Sequence, residues 1–197
     1  MRGDPTDDTF PEVRATPRSA FLITLGLAAS YGLLFVFLGR QFRVSDLDLI
    51  ASLGLGAVLL VLSYIDLRTG RLPDILTWPL VALGLGYAAH QEDLVMALSG
   101  AVAGYVLIAG LALIWRRARG YEGIGLGDAK LLAAGGAWVG AIGLPVILLI
   151  ASASGILVAL TVSQRSRSRQ ERAAIVFGPC LGFGIWVVWC GINYLQF

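Results

Sequence analysis

The chain has one lysine and one histidine among its 197 residues, only two cysteines, and charge on just 14% of positions. Each shortage closes a class of function. The cysteines, Cys180 and Cys190, fall ten apart in one apolar block. On a rigid helix that spacing points them to different places, which argues against a disulfide between them. There is no CxxC pair, so a structural zinc site has no ligand set; the two read as small apolar packing residues. His90 stands alone at a loop and offers no ligand cluster. The net charge of +2 is too small to suggest a nucleic-acid partner. Tandem repeats and the alternating pattern of a membrane barrel are both missing. Residues 1–18, MRGDPTDDTFPEVRATPR, lack the apolar core of a signal peptide, because three prolines and four acids interrupt it. They read as a disordered tail.

What the chain does have is apolar residues, 57% of the total, against about 45–50% in soluble domains. They come in blocks nearly free of charge. Several approach the 20 or so residues that cross a hydrocarbon core of about 30 Å as a helix. Seven segments can be read, at 20–38, 47–65, 75–89, 94–115, 129–139, 144–162 and 174–194; the fifth is short and glycine-rich. Backbone groups in lipid have to be paired internally, so these segments are helices. The expected fold is an all-α polytopic membrane bundle of about seven transmembrane helices, one membrane-embedded domain over 19–197 behind the tail. Arginine sets the orientation. Arg2, Arg14, Arg18, Arg68, Arg71, Arg116, Arg117, Arg119, Arg165, Arg167, Arg169 and Arg172 fall on one side, and only Arg40 and Arg43 on the other. The positive-inside rule places the first group in the cytoplasm. The run QRSRSRQER reads as a solvated loop and topology signal.

Against this background two acids stand out. Asp66 ends the apolar run AVLLVLSYID, and Asp128 opens DAKLLAAGGAW within the stretch GIGLGDAKLL, where three glycines precede it and Lys130, the single lysine, follows. An acid at depth costs about 2.5–3.5 kcal/mol on insertion scales and is by default a functional candidate. Read singly, Asp128 is a helix N-cap and Asp66 an ion-pair partner of Arg68 or Arg71. Read together, both lie at cytoplasmic helix ends in a topology that lets them meet. Two adjacent carboxylates share a proton, which supplies a general base and a general acid at one pH. Such a pair hydrolyses a peptide bond with no metal, cofactor or nucleophilic side chain. Gly123, Gly125 and Gly127 permit close backbone approach for a substrate held extended beside Asp128.

The segments YIDLRTGRLPDILTWPLVALGLG and GIGLGDAKLLAAGGAWVG resemble the two active-site segments of prepilin peptidases, the bacterial GxGD aspartic proteases; IVFGPCLGFG resembles their third signature. The resemblance covers roughly residues 47–194. It implies that Asp66 and Asp128 are the catalytic pair, that Gly125 and Gly127 are the motif glycines, and that Pro73, Asp74 and Lys130 occupy accessory motif positions. It further implies a multi-pass protein of the bacterial inner membrane. Such a protein cleaves the basic leader of type IV prepilins or pseudopilins at the cytoplasmic face, ahead of the substrate's apolar N-terminal helix, with membrane lipid as its surroundings. Three departures stand out. Arg68 replaces the second acid common in the first motif, Val176 stands where proline is usual, and the cysteine-bearing insert linked to N-methylation is missing. The last predicts a peptidase without intrinsic methyltransferase activity. The rival reading is a small proton-coupled transporter using the same two acids as a relay.

Overall fold

The computed structural model describes residues 17–39, 45–120, 125–165 and 176–195. The tail reading of residues 1–16, Gly123, Arg40, Arg43 and the basic run after Arg165 lie outside the described residues. Among the described residues six helices follow in order: α1 (Pro17–Gly39), α2 (Asp46–Thr69), α3 (Asp74–His90), α4 (Leu94–Arg119), α5 (Leu126–Arg165) and α6 (Gly178–Leu195). All the regular structure among the described residues is helical. Three stretches are long and apolar enough to cross a membrane, Asp46–Thr69, Leu94–Arg119 and Leu126–Leu160, and Ala20–Leu33 and Gly178–Asn193 are shorter apolar helices.

The fifth helix contains a reversal. Gly140 has φ 73° and ψ 175°, well outside the helical region, a conformation that glycine reaches without steric cost. The packing on either side shows what the break does. Before it, successive turns of α5 meet α4 in antiparallel order: Leu132 faces Gly104, Gly136 faces Gly100 and Gly140 faces Met96. After it, Ile147 faces Gly184, and Gly155 faces Phe177 and Cys180. The second arm therefore returns toward the end where the first began. The short fifth and the sixth sequence segments are the two arms, 126–139 and 141–165. The last expected segment, 174–194, corresponds to α6, which opens at Gly178; residues 174 and 175 lie outside the described residues.

Without a hydrophobic drive between helices in lipid, close association needs small residues that let backbones touch. The α4–α5 interface is built this way. A β-carbon on Gly100 would lie 2.3 Å from the Gly136 carbonyl oxygen, and one on Gly136 2.1 Å from that of Gly100. One turn along, Gly104 presses on the Leu132 carbonyl. The sequence GAVAG carries this signal at G-x-x-x-G spacing.

At the end where α2 and α4 begin, polar and aromatic groups tie the helices together. The Tyr87 hydroxyl donates to Asp48 at 2.8 Å, and the Trp189 indole donates to Ser52 at 3.0 Å. Trp138 donates to the Leu80 carbonyl at 2.9 Å. The three rings pack on one another, with the Trp138 and Trp189 centroids 5.0 Å apart.

The α4–α5 contact yields a first expected outcome. Gly136→Val should destabilise the bundle by about 1–3 kcal/mol, the usual cost of overpacking. Gly110→Val, on an α4 face with nothing within 4 Å, should stay within about 0.5 kcal/mol. Unfolding in mixed micelles by titration with SDS measures both.

Candidate active site

Four helix ends meet at the other end of the bundle. Helix α2 is capped at its start by Ser45, which accepts from the Asp48 amide at 3.2 Å, and it stops at Gly70, whose φ is 64°. The Gly70 amide closes the helix on the Asp66 carbonyl at 2.7 Å, which places Asp66 in the last turn. Its side chain points inward and is only 6% exposed. Among the described residues the other buried polar side chains are Ser52, Ser63 and Thr77. Ser63 and Thr77 donate to carbonyls of their own helical turn or cap, as small hydroxyl residues in helices commonly do, and Ser52 accepts from Trp189. Asp66 has no such local partner. It accepts a hydrogen bond from the Gly178 amide, at 3.0 Å and across 112 residues of sequence. A buried carboxylate needs such a donor, since leaving it unpaired is costly.

Among the described residues no ion pair joins Asp66 to Arg68 or to Arg71. Arg68 lies two positions along the helix and turns away, its guanidinium meeting the Tyr64 hydroxyl at 3.3 Å with its carbon 5.9 Å from the ring centroid. Residues two apart on a helix do not share a face.

Asp128 sits in the first turn of α5, half-buried. Its amide bonds to the Gly125 carbonyl at 3.2 Å. Gly125 thus takes the position before the helix, and Asp128 is the third helical residue and not its N-cap. Of the motif glycines, Gly127 is the one the packing demands: a β-carbon there would come 3.2 Å from the Leu72 side chain. Leu72 is buried in the short connection between α2 and α3. Its packing on Gly127 sets the connection after α2 against the start of α5, at the mouth where the last turn of α2 carries Asp66 and the first turn of α5 carries Asp128.

Pro73 and Asp74 belong to the same end. The Pro73 carbonyl starts α3 by accepting from the Leu76 and Thr77 amides, and Asp74 opens the helix. Lys130 reaches Asp74 in an ion pair of 2.5 Å. Lys130 lies two positions after Asp128, so they project to different sides of α5. The pair joins α3 to α5 beside the two aspartates.

Chemically, the arrangement offers two carboxylates at one mouth of the bundle, Asp66 buried and Asp128 half-buried. Such a pair can take a proton from a water and give one to a substrate oxygen in the same step. No group of three or more His, Cys, Asp or Glu side chains gathers among the described residues. A cleft of about 390 Å³ opens at the far end, bordered by Tyr87, Gln91, Asp93, Gly140, Trp189 and Asn193. None of the sequence-predicted site residues lines it. The residue that sequence reasoning missed is Gly178. Its signal was the IVFGPCLGFG segment, which shows no acid and whose one thiol, Cys180, reads as a packing residue, so it attracts no attention on chemical grounds.

Comparison with known proteins bears directly on this mouth. The family model described as the type IV leader peptidase family matches residues 53–160, which include both aspartates. The chain belongs to that family. A prepilin leader peptidase/N-methyltransferase of Escherichia coli (strain K12) is 49% identical over 131 residues, covering 64% of this chain and 56% of the relative. The protein of the same name from Burkholderia pseudomallei (strain K96243) is 44% identical over 137 residues, 68% of this chain and 44% of its own length. That of Neisseria gonorrhoeae is 36% identical over 176 residues, 83% of this chain and 58% of the relative. The chain spans about half the length of the curated relatives it matches. No solved structure matches it.

The Lys130–Asp74 pair should contribute little to global stability because Asp74 is largely exposed. A double-mutant cycle with Lys130→Met and Asp74→Asn, read by chemical unfolding, should return a coupling of about 0.2–1 kcal/mol.

Proposed function

We propose that this chain is a membrane aspartic endopeptidase. It cleaves the basic leader from type IV prepilins or pseudopilins at the cytoplasmic membrane face, with Asp66 and Asp128 activating water. The observation that carries the reading is their convergence: 62 positions apart in sequence, they end up on the last turn of α2 and the first turn of α5, at one mouth, where Leu72 of the connection after α2 packs on Gly127 beside Asp128. Family membership supports the reaction class.

One carboxylate takes a proton from water as the water oxygen bonds to the scissile carbonyl carbon. The other gives its proton to the carbonyl oxygen. Collapse of the resulting gem-diol returns that proton, passes the first to the amide nitrogen and breaks the C–N bond, which leaves a carboxylic acid and an amine. Gly125 and Gly127 keep the backbone beside Asp128 free of side chains, which suits an extended segment of substrate. Pro73 starts α3, and the ion pair of Asp74 with Lys130 holds that start against α5. The substrate's apolar helix then lies along the lipid-facing surface. The arginines at 68–71 and 116–119 lie at this same end, which under the positive-inside rule is the cytoplasmic one. A proton-coupled transporter would instead seat its acids near the midplane of the bilayer, whereas both aspartates here are in terminal turns. The two cysteines, free and buried on α6, form no CxxC pair, so the reading includes no N-methyltransferase activity within these residues.

Purified protein should cleave a prepilin in detergent or lipid. Asp66→Asn and Asp128→Asn should each abolish cleavage while keeping the helical circular dichroism of the parent, and EDTA should leave the rate unchanged. Mass spectrometry of the mature product with S-adenosylmethionine present should show a free, unmethylated amino terminus. Full turnover by either Asn variant would sink the two-aspartate mechanism.

A further inference from the structure

We infer that the Gly178 amide is the positioning group for Asp66. It holds one carboxylate oxygen, Oδ2, at the N-terminus of α6 and leaves Oδ1 to face Asp128 and the reacting water. The inference rests on the peptidase reading for its catalytic meaning, but the contact itself can be tested without it.

Three observations carry it. The first is the bond: the Gly178 N–H donates to Asp66 Oδ2 at 3.0 Å in a buried setting. The second is position. Gly178 is the first residue of α6, and the Phe177 carbonyl ahead of it accepts from Leu181 at 3.0 Å. Its N–H is therefore one of the helix-start donors with no partner inside the helix, and the positive end of the helix dipole lies behind it. The third is steric. A β-carbon on Gly178 would stand 2.1 Å from Asp66 Oδ2 and 2.9 Å from its carboxyl carbon. Only glycine lets the amide approach this carboxylate. One turn on, Gly182 shows the contrast: a β-carbon there would meet Ser63 Oγ at 3.4 Å and the Tyr31 hydroxyl oxygen at 3.5 Å, which is ordinary contact.

The consequence is chemical. A carboxylate oxygen that accepts an N–H has less basicity to offer a proton. The proton shared by the pair is thereby kept off Oδ2 and left to Oδ1. The same bond fixes the rotation of the carboxylate, and that orientation is what attack by water on the face of the scissile carbonyl requires. Gly178 touches no substrate, so it is a positioning residue.

The test uses the full chain and pairs a stability arm with a kinetic arm. Gly178→Ala should lower the melting temperature in the parent background. In an Asp66→Ala background, where the obstructing carboxyl is gone, the same substitution should have little effect. If Gly178→Ala does not fold, the Asp66→Ala/Gly178→Ala double variant should. An equal loss in both backgrounds, or failure of both to fold, overturns the contact. In prepilin cleavage, Gly178→Ala should lower kcat about 10²–10³-fold, the scale seen when one oriented donor is lost from an active site, with KM within about twofold, since the orientation matters to the chemical step. Gly182→Ala should keep the parental kcat. A Gly178→Ala enzyme with parental kcat, or Gly182→Ala falling equally, overturns the positioning role. Should the parent protein cleave no leader peptide, the peptidase reading falls and the catalytic meaning with it, whereas the carboxylate–amide contact still stands or falls on the melting temperatures.

Discussion

A carboxylate turned into the interior of a helix bundle has to find a donor, and here the demand of Asp66 is met by a main-chain amide from the far end of the sequence. Much of the mouth follows from that requirement. The donor has to come from a helix start, where amides have no partner inside the helix. It also has to come from glycine, because any β-carbon would collide with the carboxyl group. The end of α2 and the start of α6 are thus held at a fixed separation by chemistry and not by apolar packing alone. The start of α5 is brought to the same place by a different means, the seating of Leu72 on Gly127.

The rest of the bundle keeps these ends in register. The glycine contact between α4 and the first arm of α5 sets one pair of axes close, and the reversal at Gly140 carries the second arm back along α6. At the opposite end, hydrogen bonds from Tyr87 and Trp189 join α2, α3 and α6. Bonds of this kind suit a membrane setting, where small residues and interhelical hydrogen bonds replace the hydrophobic drive available in water. Both aspartates sit on helices that are braced along their length. The pair is unequal in exposure, Asp66 being buried and Asp128 half-buried.

The helical fold was legible because lipid imposes one rule on the backbone, and blocks of apolar residues report it directly. The seven sequence segments correspond to seven helical stretches once the break in α5 is recognised. The fifth segment looked too short because it is one arm of a hairpin and ends at a glycine with positive φ. Asp66 and Asp128 were legible because charge in an apolar run is costly enough to need a reason. The two local readings of those acids failed for local reasons. Arg68 lies on the wrong face of α2 to reach Asp66, and Gly125 rather than Asp128 stands ahead of α5. The glycine contact in GAVAG was overlooked although its spacing is plain in the sequence.

By itself the sequence determined the class of fold, the helical segments, the two carboxylates worth asking about and the residues around them that match a known family, since hydropathy and charge are properties each residue carries wherever it is placed. Only the tertiary structure decided that Gly178 serves Asp66, that Leu72 rests on Gly127 and that Lys130 pairs with Asp74. Those facts depend on which helix ends share a mouth, and glycine carries no side-chain chemistry to announce its partner; its role exists only in the distance another backbone is allowed to close.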